Sequence, residues 1–228
     1  MSLIKLVDVR HTYVGPERPV EALCGVSLEI DAGDFVAITG PSGSGKSTLL
    51  SIVGTLERAT SGRYLFDGAE VSNLTDREIA RLRALKIGFV FQNFSLIDHL
   101  TVYDNVKLGL RYRRERFPRS DDRILEAMDR VGIAHRADHL PRELSGGQQQ
   151  RCAIARAIVG DPSLLLADEP TGNLDSRNAA QILGILSELN ASGTTLVIVT
   201  HAPSQADRAS RIIDMHDGRI HMSSRRLT

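Results

Sequence analysis

The sequence predicts an α/β protein: a mostly parallel sheet with an α-helical subdomain inserted at about 93–160. Three observations lead there. Short apolar strands alternate with helical patterns, the arrangement of a parallel sheet covered on both faces. One such strand, Phe35-Val36-Ala37-Ile38-Thr39, runs into a Gly-rich loop followed by apolar residues at helical spacing. From about 93 to 160, β-branched alternation gives way to helix start and stop residues.

Taken in order, residues 3–9 are apolar and β-prone, and Val26-Ser27-Leu28-Glu29-Ile30 alternates as a half-buried strand does. Asp31-Ala32-Gly33 turns the chain into the strand 35–39. Leu49, Leu50, Val53 and Leu56 then set a helical period, which Thr60-Ser61-Gly62 breaks. Asp67-Gly68 between β-prone residues predicts a hairpin. Thr75-Asp76-Arg77-Glu78 is a capping box that opens a short helix, and residues 87–91 form a strand ending at Gln92.

In the helical block, Thr101 and Asp104 mark one helix start, and Asp121-Asp122 precede the amphipathic set Ile124, Leu125, Met128 and Val131. Ser145 caps a helix through Ala153, Ile154, Ala157 and Ile158, closed by Gly160 with Pro162 beyond. Residues 163–168 are a strand, about 176–191 a helix, 194–200 a strand, and 211–222 a small hairpin around Asp217-Gly218.

Composition narrows the function. With 228 residues the chain has room for one core and an inserted subdomain, and 28 Lys+Arg against 28 Asp+Glu leave a net charge of 0. A neutral chain with 4% aromatics and no Trp has neither the basic footprint nor the stacking platforms of a nucleic-acid binder, so no nucleic-acid partner is expected. Cys24 and Cys152 make no disulfide framework and no CxxC metal site; each reads as a small buried apolar residue in a reducing compartment. No apolar run approaches the ~18 residues of a membrane span, and the start, Met1-Ser2-Leu3-Ile4-Lys5, lacks the build of a signal peptide. A membrane role would have to run through another chain.

The Gly-rich loop carries the chemistry. Gly40-Pro41-Ser42-Gly43-Ser44-Gly45-Lys46-Ser47 fits G-x-x-x-x-G-K-[ST] at every fixed position, with a strand before it and a helix after. Glycines let backbone N–H groups converge on phosphate oxygens, and the helix N-terminus adds its positive dipole end. Lys46 is placed to reach the β- and γ-phosphates and the Ser47 hydroxyl to ligate Mg²⁺. A plain Gly-rich turn does not account for the strand–loop–helix context. Leu164-Leu165-Leu166-Ala167-Asp168-Glu169 is an apolar strand ending in two acids, which a cation must compensate. Asp168 is placed to hold that metal through water and Glu169 to polarise an attacking water. Alone, the two acids would read as a strand end capping the next helix. Leu144-Ser145-Gly146-Gly147-Gln148 adds a second anion-binding nest at a helix start.

On these motifs the chain resembles the ATP-binding subunits of ABC transporters over nearly its whole length, as one domain over 1–228. The resemblance implies a P-loop NTPase core with a small N-terminal antiparallel β subdomain over about 1–92 and 161–228, and a helical subdomain over about 93–160. Tyr13 stands where the family stacks an aromatic ring on adenine, and residues 40–48, ending at Thr48, match the P-loop. Gln92 matches the glutamine that senses Mg²⁺ and the attacking water. Residues 144–148 match the ABC signature, Asn173-Leu174-Asp175 the loop crossing a dimer interface, and His201 the histidine that contacts the γ-phosphate. Singly, Tyr13 reads as core, Gln92 as a loop residue and His201 as a strand-end cap; the collinear set reverses this.

The resemblance implies ATP and Mg²⁺ as cofactors, an ATP-dependent head-to-tail homodimer, and an integral membrane permease as partner at the cytoplasmic face of the membrane. The run Gly172-Asn173, where amino-acid importers carry Ser-Ala, places the chain nearest the subgroup of lipoprotein release, macrolide export and cell division. Phe94, Leu96, Ile97, Leu100, Val102 and Tyr103 form either helical-subdomain core or a docking groove for a helix of the permease. Arg111, Arg113, Arg114, Arg116 and Arg119 read as a solvated face or a contact with anionic lipid. Two alternatives are a soluble ABC ATPase of DNA repair or translation and a P-loop small-molecule kinase. His11, His99, His135, His139, His216 and His221 match no motif.

Overall fold

The computed structural model describes residues 2–15, 18–112 and 120–225. In chain order the elements are β1 (Ser2–Tyr13), β2 (Val20–Asp31), β3 (Phe35–Thr39), α1 (Lys46–Val53), β4 (Ser61–Phe66), β5 (Ala69–Glu70), α2 (Asp76–Lys86), β6 (Ile87–Phe91), α3 (Val102–Lys107), α4 (Ser120–Arg130), α5 (Gly146–Ile158), β7 (Leu164–Asp168), α6 (Ser176–Ala191), β8 (Thr195–Val199), α7 (Pro203–Ala206), β9 (Arg211–His216) and β10 (Arg219–Arg225). The chain divides into two compact units, Met1–Ile79 with Thr195–Thr228, and Ala80–Thr194. These bounds differ from those expected for a helical insert at 93–160, though α3, α4 and α5 all fall in the second unit. Of the arginine run, residues 113, 114, 116 and 119 lie outside the described residues.

The first unit contains an antiparallel sheet in the order β2-β1-β4-β5 and strands in the order β10-β9-β3-β8. β3 is parallel to both β8 and β9, and all but its last residue are buried. Every residue of β8 is buried. That is why both read as continuous apolar runs rather than alternating ones. β2 begins at Val20, well before the alternating stretch from Val26, because Val20–Gly25 pairs with the far end of β1 through bulged register. Helix α1 stops at Val53, earlier than the period through Leu56 implied. Gly54 caps it, Thr55 turns left-handed at φ 58°, and Leu56 lies exposed outside the helix.

The C-terminal end of α1 is tied down by a buried phenol. The Tyr64 hydroxyl, on β4, donates to the Val53 carbonyl at 2.6 Å, one of the orphan acceptors at a helix end. Burial pushes the Tyr64 phenol well above its ordinary range, so it stays a donor. This bond fixes the helix that follows the Gly-rich loop onto the antiparallel sheet.

In the second unit β6 and β7 pair in parallel, with Phe91 opposite Asp168. Around them α5 acts as the hub. Its Gln150 amide donates to the Pro170 carbonyl at 2.6 Å, Arg151 to the Val131 carbonyl at 2.5 Å, and Arg156 to the carbonyls of Ser95 at 2.5 Å and Phe94 at 2.9 Å. Asn105, fully buried on α3, holds the segment after β6 by accepting from the Ile97 N–H and donating to the Ile97, Leu100 and Thr101 carbonyls. Cys152 is buried, which pushes its thiol up to about 12, whereas Cys24 is only half-buried, against the turn at Gly218.

Tyr64→Phe deletes the donor to the α1 terminus and leaves a buried carbonyl without it. The expected cost is about 1–3 kcal/mol, read as a lower urea midpoint at unchanged m-value. An unchanged midpoint would show that α1 does not depend on this bond.

Candidate functional site

The candidate residues divide between the two units. In the first, the parallel register sets Ile38 of β3 opposite Val199 of β8. Gly40 and His201 each follow two residues later, so the loop and the histidine emerge side by side from the C-terminal ends of neighbouring strands, where parallel sheets place their ligands. Thr200 holds the turn at His201: its N–H donates to the Ile38 carbonyl at 3.1 Å, and its hydroxyl donates to Gln205 and accepts from the Ala202 N–H. His201 itself is exposed.

The loop is shaped by backbone contacts. A Cβ at Gly40 (φ 137°) would stand 2.1 Å from the Met215 carbonyl oxygen, so only glycine lets the loop leave β3 against β9. The Gly218 N–H donates to the Ser44 carbonyl at 3.1 Å, latching the β9–β10 turn onto the loop. Pro41, Ser42, Gly43 and Ser47 are exposed, Ser44 is buried, and Gly45, Lys46 and Thr48 are half-buried. Gly45 caps α1 in the left-handed conformation with no side-chain cap bond, and no acid lies in the first turn. These are the conditions for anion binding at a helix N-terminus. The Lys46 ammonium donates to the carbonyls of Gly40 at 2.9 Å and Pro41 at 2.7 Å, curled over the loop it is expected to serve. Tyr13, at the end of β1, is hydrogen-bonded to Thr48 at 3.4 Å.

In the second unit Gln92 and Glu169 each follow the paired strand ends Phe91 and Asp168 by one residue. Glu169 is held at φ 46°, a left-handed conformation unusual for a non-glycine residue. Asn173 brackets Gln92: the Gln92 amide donates to the Asn173 side-chain oxygen at 3.2 Å, and the Asn173 amide donates to the Gln92 carbonyl at 3.2 Å. A Cβ at Gly172 would lie 2.7 Å from the Gln92 amide nitrogen.

The same unit holds the Ser-Gly-Gly run. Ser145 caps α5, its hydroxyl accepting from the Gln148 N–H at 3.4 Å while the Gln148 side chain accepts from the Ser145 N–H at 3.0 Å. Gly146 lies against Leu174. A Cβ at Gly147 would come within 2.5 Å of the Asn178 side chain. Asn178 in turn bonds Asp175, the N-cap of α6, through its N–H at 2.9 Å and its amide at 2.5 Å. Those bonds, the backbone one foremost, hold the Asp175 carboxyl below its usual range. Ser145–Gln148 and Asp175 are thus linked through Asn178, and Gln92 and Glu169 are set by one strand pair.

The family model for ABC transporters matches residues 23–172, about two-thirds of the chain. The chain belongs to the ABC transporter family. As an ABC chain it is 46% identical to an uncharacterized ABC transporter ATP-binding protein, YknY, of Bacillus subtilis, over 96% of this chain and 95% of that protein. It is 49% identical to the macrolide export ATP-binding/permease protein MacB of Chlorobium luteolum, over 98% of this chain but only 34% of that protein. Among solved structures it superposes on MJ0796, described as a bacterial ABC transporter cassette in dimeric form, with TM-score 0.91 and 43% identity, covering 99% of this chain and 100% of that one. A post-hydrolysis structure of MJ0796 with ADP and Pi matches equally, at TM-score 0.91. The P-loop NTPase fold of the ABC cassette is therefore the fold of this chain.

Among the described residues no three His, Cys, Asp or Glu side chains group to hold a metal ion. Mg²⁺ bound with a nucleotide takes most of its oxygens from phosphate and water and only one or two from protein. An exposed Ser47 hydroxyl on the first turn of α1 and the Asp168 carboxylate at the end of β7 are the right kind of donors. Sequence reading did not single out Asn178 or the grip of Asn173 on Gln92. Gln92 and Asn173 are 81 residues apart, and Asn178 meets Gly147 from a different helix, so no local pattern connects either pair.

Gly40→Ala and Gly43→Ala both place a side chain at positive φ, but a Cβ at Gly43 meets nothing within 4 Å. Both lose about 1–2 kcal/mol to the backbone conformation, and Gly40→Ala loses a further ~1–3 kcal/mol to the clash. Chemical denaturation of the two variants should separate them in that order. Equal losses would mean that the β9 carbonyl yields.

Proposed function

We propose that the chain is the ATP-hydrolysing subunit of an ABC transporter whose membrane-spanning subunits are supplied separately, and that it works as an ATP-dependent head-to-tail pair. One observation carries the reading. Each candidate residue next to the reacting phosphate leaves the C-terminal end of a parallel strand in fixed register, Gly40 beside His201 and Gln92 beside Glu169.

On this reading the loop 40–48 cradles the triphosphate, Lys46 neutralises its β- and γ-oxygens, and Tyr13 carries the adenine. Glu169 polarises the attacking water, while His201 and Gln92 position it against the γ-phosphate. Mg²⁺, held by Ser47 and Asp168 with Gln92 beside it, would supply charge neutralisation on the phosphate oxygens. Ser145, Gly146, Gly147 and Gln148 of a second copy would close on the γ-phosphate, and Asp175 would lie at the join. The dimeric form described for MJ0796 supports this.

No helix among the described residues is long and apolar enough to cross a membrane. We assign the membrane passage of the transporter to a permease partner, with the chain on the cytoplasmic face. MacB, whose name gives macrolide export and joins ATP-binding and permease parts, supports an export role. So does Gly172-Asn173, the subgroup's pair, which packs on Gln92. The half-buried Phe94 and Leu96 just beyond Gln92 are the proposed docking face for that permease. The relatives found are named as transporter components, which favours this reading over an ATPase of DNA repair or translation.

Glu169→Gln keeps the nucleotide contacts and removes the water-polarising charge. The expected loss is about 10²–10⁴ in kcat with ATP binding retained, read by phosphate release and by retention of an ATP-bound dimer; near-normal turnover would reject Glu169 as the base. Ser145→Arg should stop hydrolysis without weakening ATP binding to the single chain, whereas Lys46→Ala should weaken binding directly. Mixing the two inactive variants should restore one working site of two in a hybrid pair. Mixtures as dead as their parents would refute the head-to-tail arrangement.

A further inference from the structure

The Tyr13 ring is not held by packing alone. Its hydroxyl lies 2.6 Å from Oε2 of Glu57, in the segment just after α1. A carboxylate only accepts, so the phenol donates to it, and the 3.4 Å contact with Thr48 runs from the threonine hydroxyl to the phenol oxygen. Burial, with the bond to Glu57, pushes the Tyr13 phenol up, which keeps that proton in place.

A second ring braces the first. His11 meets Tyr13 edge-on, with ring centroids 4.6 Å apart at 80°. Its Nδ1 lies 3.0 Å from the Arg58 carbonyl and its Nε2 lies 3.3 Å from the same Glu57 Oε2. A carbonyl cannot donate, so Nδ1 carries a proton in this network. The Glu57–Thr60 segment is stitched back to β1 by the Thr60 N–H to the Arg10 carbonyl at 2.8 Å and the Thr12 N–H to the Thr60 hydroxyl at 3.0 Å. The Glu57 carboxylate therefore sits on a fixed backbone with two aromatic side chains converging on one oxygen.

We propose that Glu57 is a positioning residue for the nucleotide base: its carboxylate sets the Tyr13 ring at the angle on which adenine stacks, and His11 braces the pair. The proposal rests on the reading of Tyr13 as the adenine platform. The Glu57 carboxylate meets Tyr13 and His11 and not the loop 40–48, so it acts on the base end of the ligand and leaves the triphosphate end to the loop. Stacking energy depends on ring alignment, so a swinging Tyr13 binds the base less well even though the ring is still present.

The test compares dissociation constants for ATP and for inorganic triphosphate, which has no base, by calorimetry on the full chain. Glu57→Ala should raise the ATP constant about three- to tenfold, the loss of one orienting bond, and leave the triphosphate constant unchanged. Glu57→Gln, whose amide oxygen still accepts from the phenol, should restore ATP binding. Tyr13→Phe removes the same bond from the other side, should match Glu57→Ala, and the double variant should add nothing further. Should Glu57→Ala fail to fold, Tyr13→Phe decides alone. Unchanged ATP binding in Glu57→Ala or Tyr13→Phe, with weakened binding in Tyr13→Ala, overturns the proposal and leaves the platform reading standing. Unchanged ATP binding in Tyr13→Ala overturns both. Equal losses for ATP and triphosphate show that Glu57 serves the fold of the loop, and also overturn the proposal.

Discussion

Parallel strand pairing is the constraint on which the rest depends. A parallel ladder fixes which residues leave the sheet side by side, and it does so with backbone bonds that no surface substitution alters. Once Ile38 faces Val199, the loop at Gly40 and the histidine at 201 have no freedom to separate. Once Phe91 faces Asp168, Gln92 and Glu169 are delivered as neighbours. Strands buried on both faces tolerate neither charge nor a slip in register, so both positions are insulated from drift.

Around that frame, precision comes from side chains that hold backbone rather than ligand. Tyr64 closes the end of α1, Gln150 holds Pro170 just beyond Glu169, and Arg156 grips the carbonyls of Phe94 and Ser95 just beyond Gln92. Burial lowers the Arg156 guanidinium from its ordinary value, a cost offset by those two acceptors. The loops after β6 and β7 are thus both fastened to α5. The helix whose N-terminus carries the Ser-Gly-Gly run is the one that sets the neighbourhood of Gln92 and Glu169.

Much of this was legible in the sequence, for physical reasons that also mark where legibility stops. Strands such as 35–39 and 164–168 announce themselves because burial on both faces leaves only apolar residues. Capping boxes at Thr75 and Ser145 are local by nature, and both helices start where the pattern places them. The period through Leu56 misled, because an exposed leucine looks the same in sequence as a buried one and Gly54 and Thr55 end the helix first. Only the second half of β2 shows as a strand in the sequence, because its first residues pair with bulged register and do not alternate. The positions of the Gly-rich loop and the two acids follow from motif and strand end. The partners that orient them do not: Glu57 and Tyr13 are 44 residues apart, and Gln92 and Asn173 are 81 apart.

The left-handed backbone at Glu169 has a consequence for how variation at this position can be interpreted. A residue at φ 46° sits where only glycine, asparagine and aspartate are comfortable and where β-branched side chains are strained. The genetic code reaches valine, lysine, alanine, glycine, aspartate and glutamine from glutamate by one base change, and these differ in two respects at once, the chemistry they offer and the conformation they accept. Glutamine keeps shape and changes charge; valine changes both and distorts the turn to Pro170. In any mutational survey of this chain, substitutions at 169 therefore vary conformation as well as chemistry, and only the unbranched ones isolate the change of chemistry.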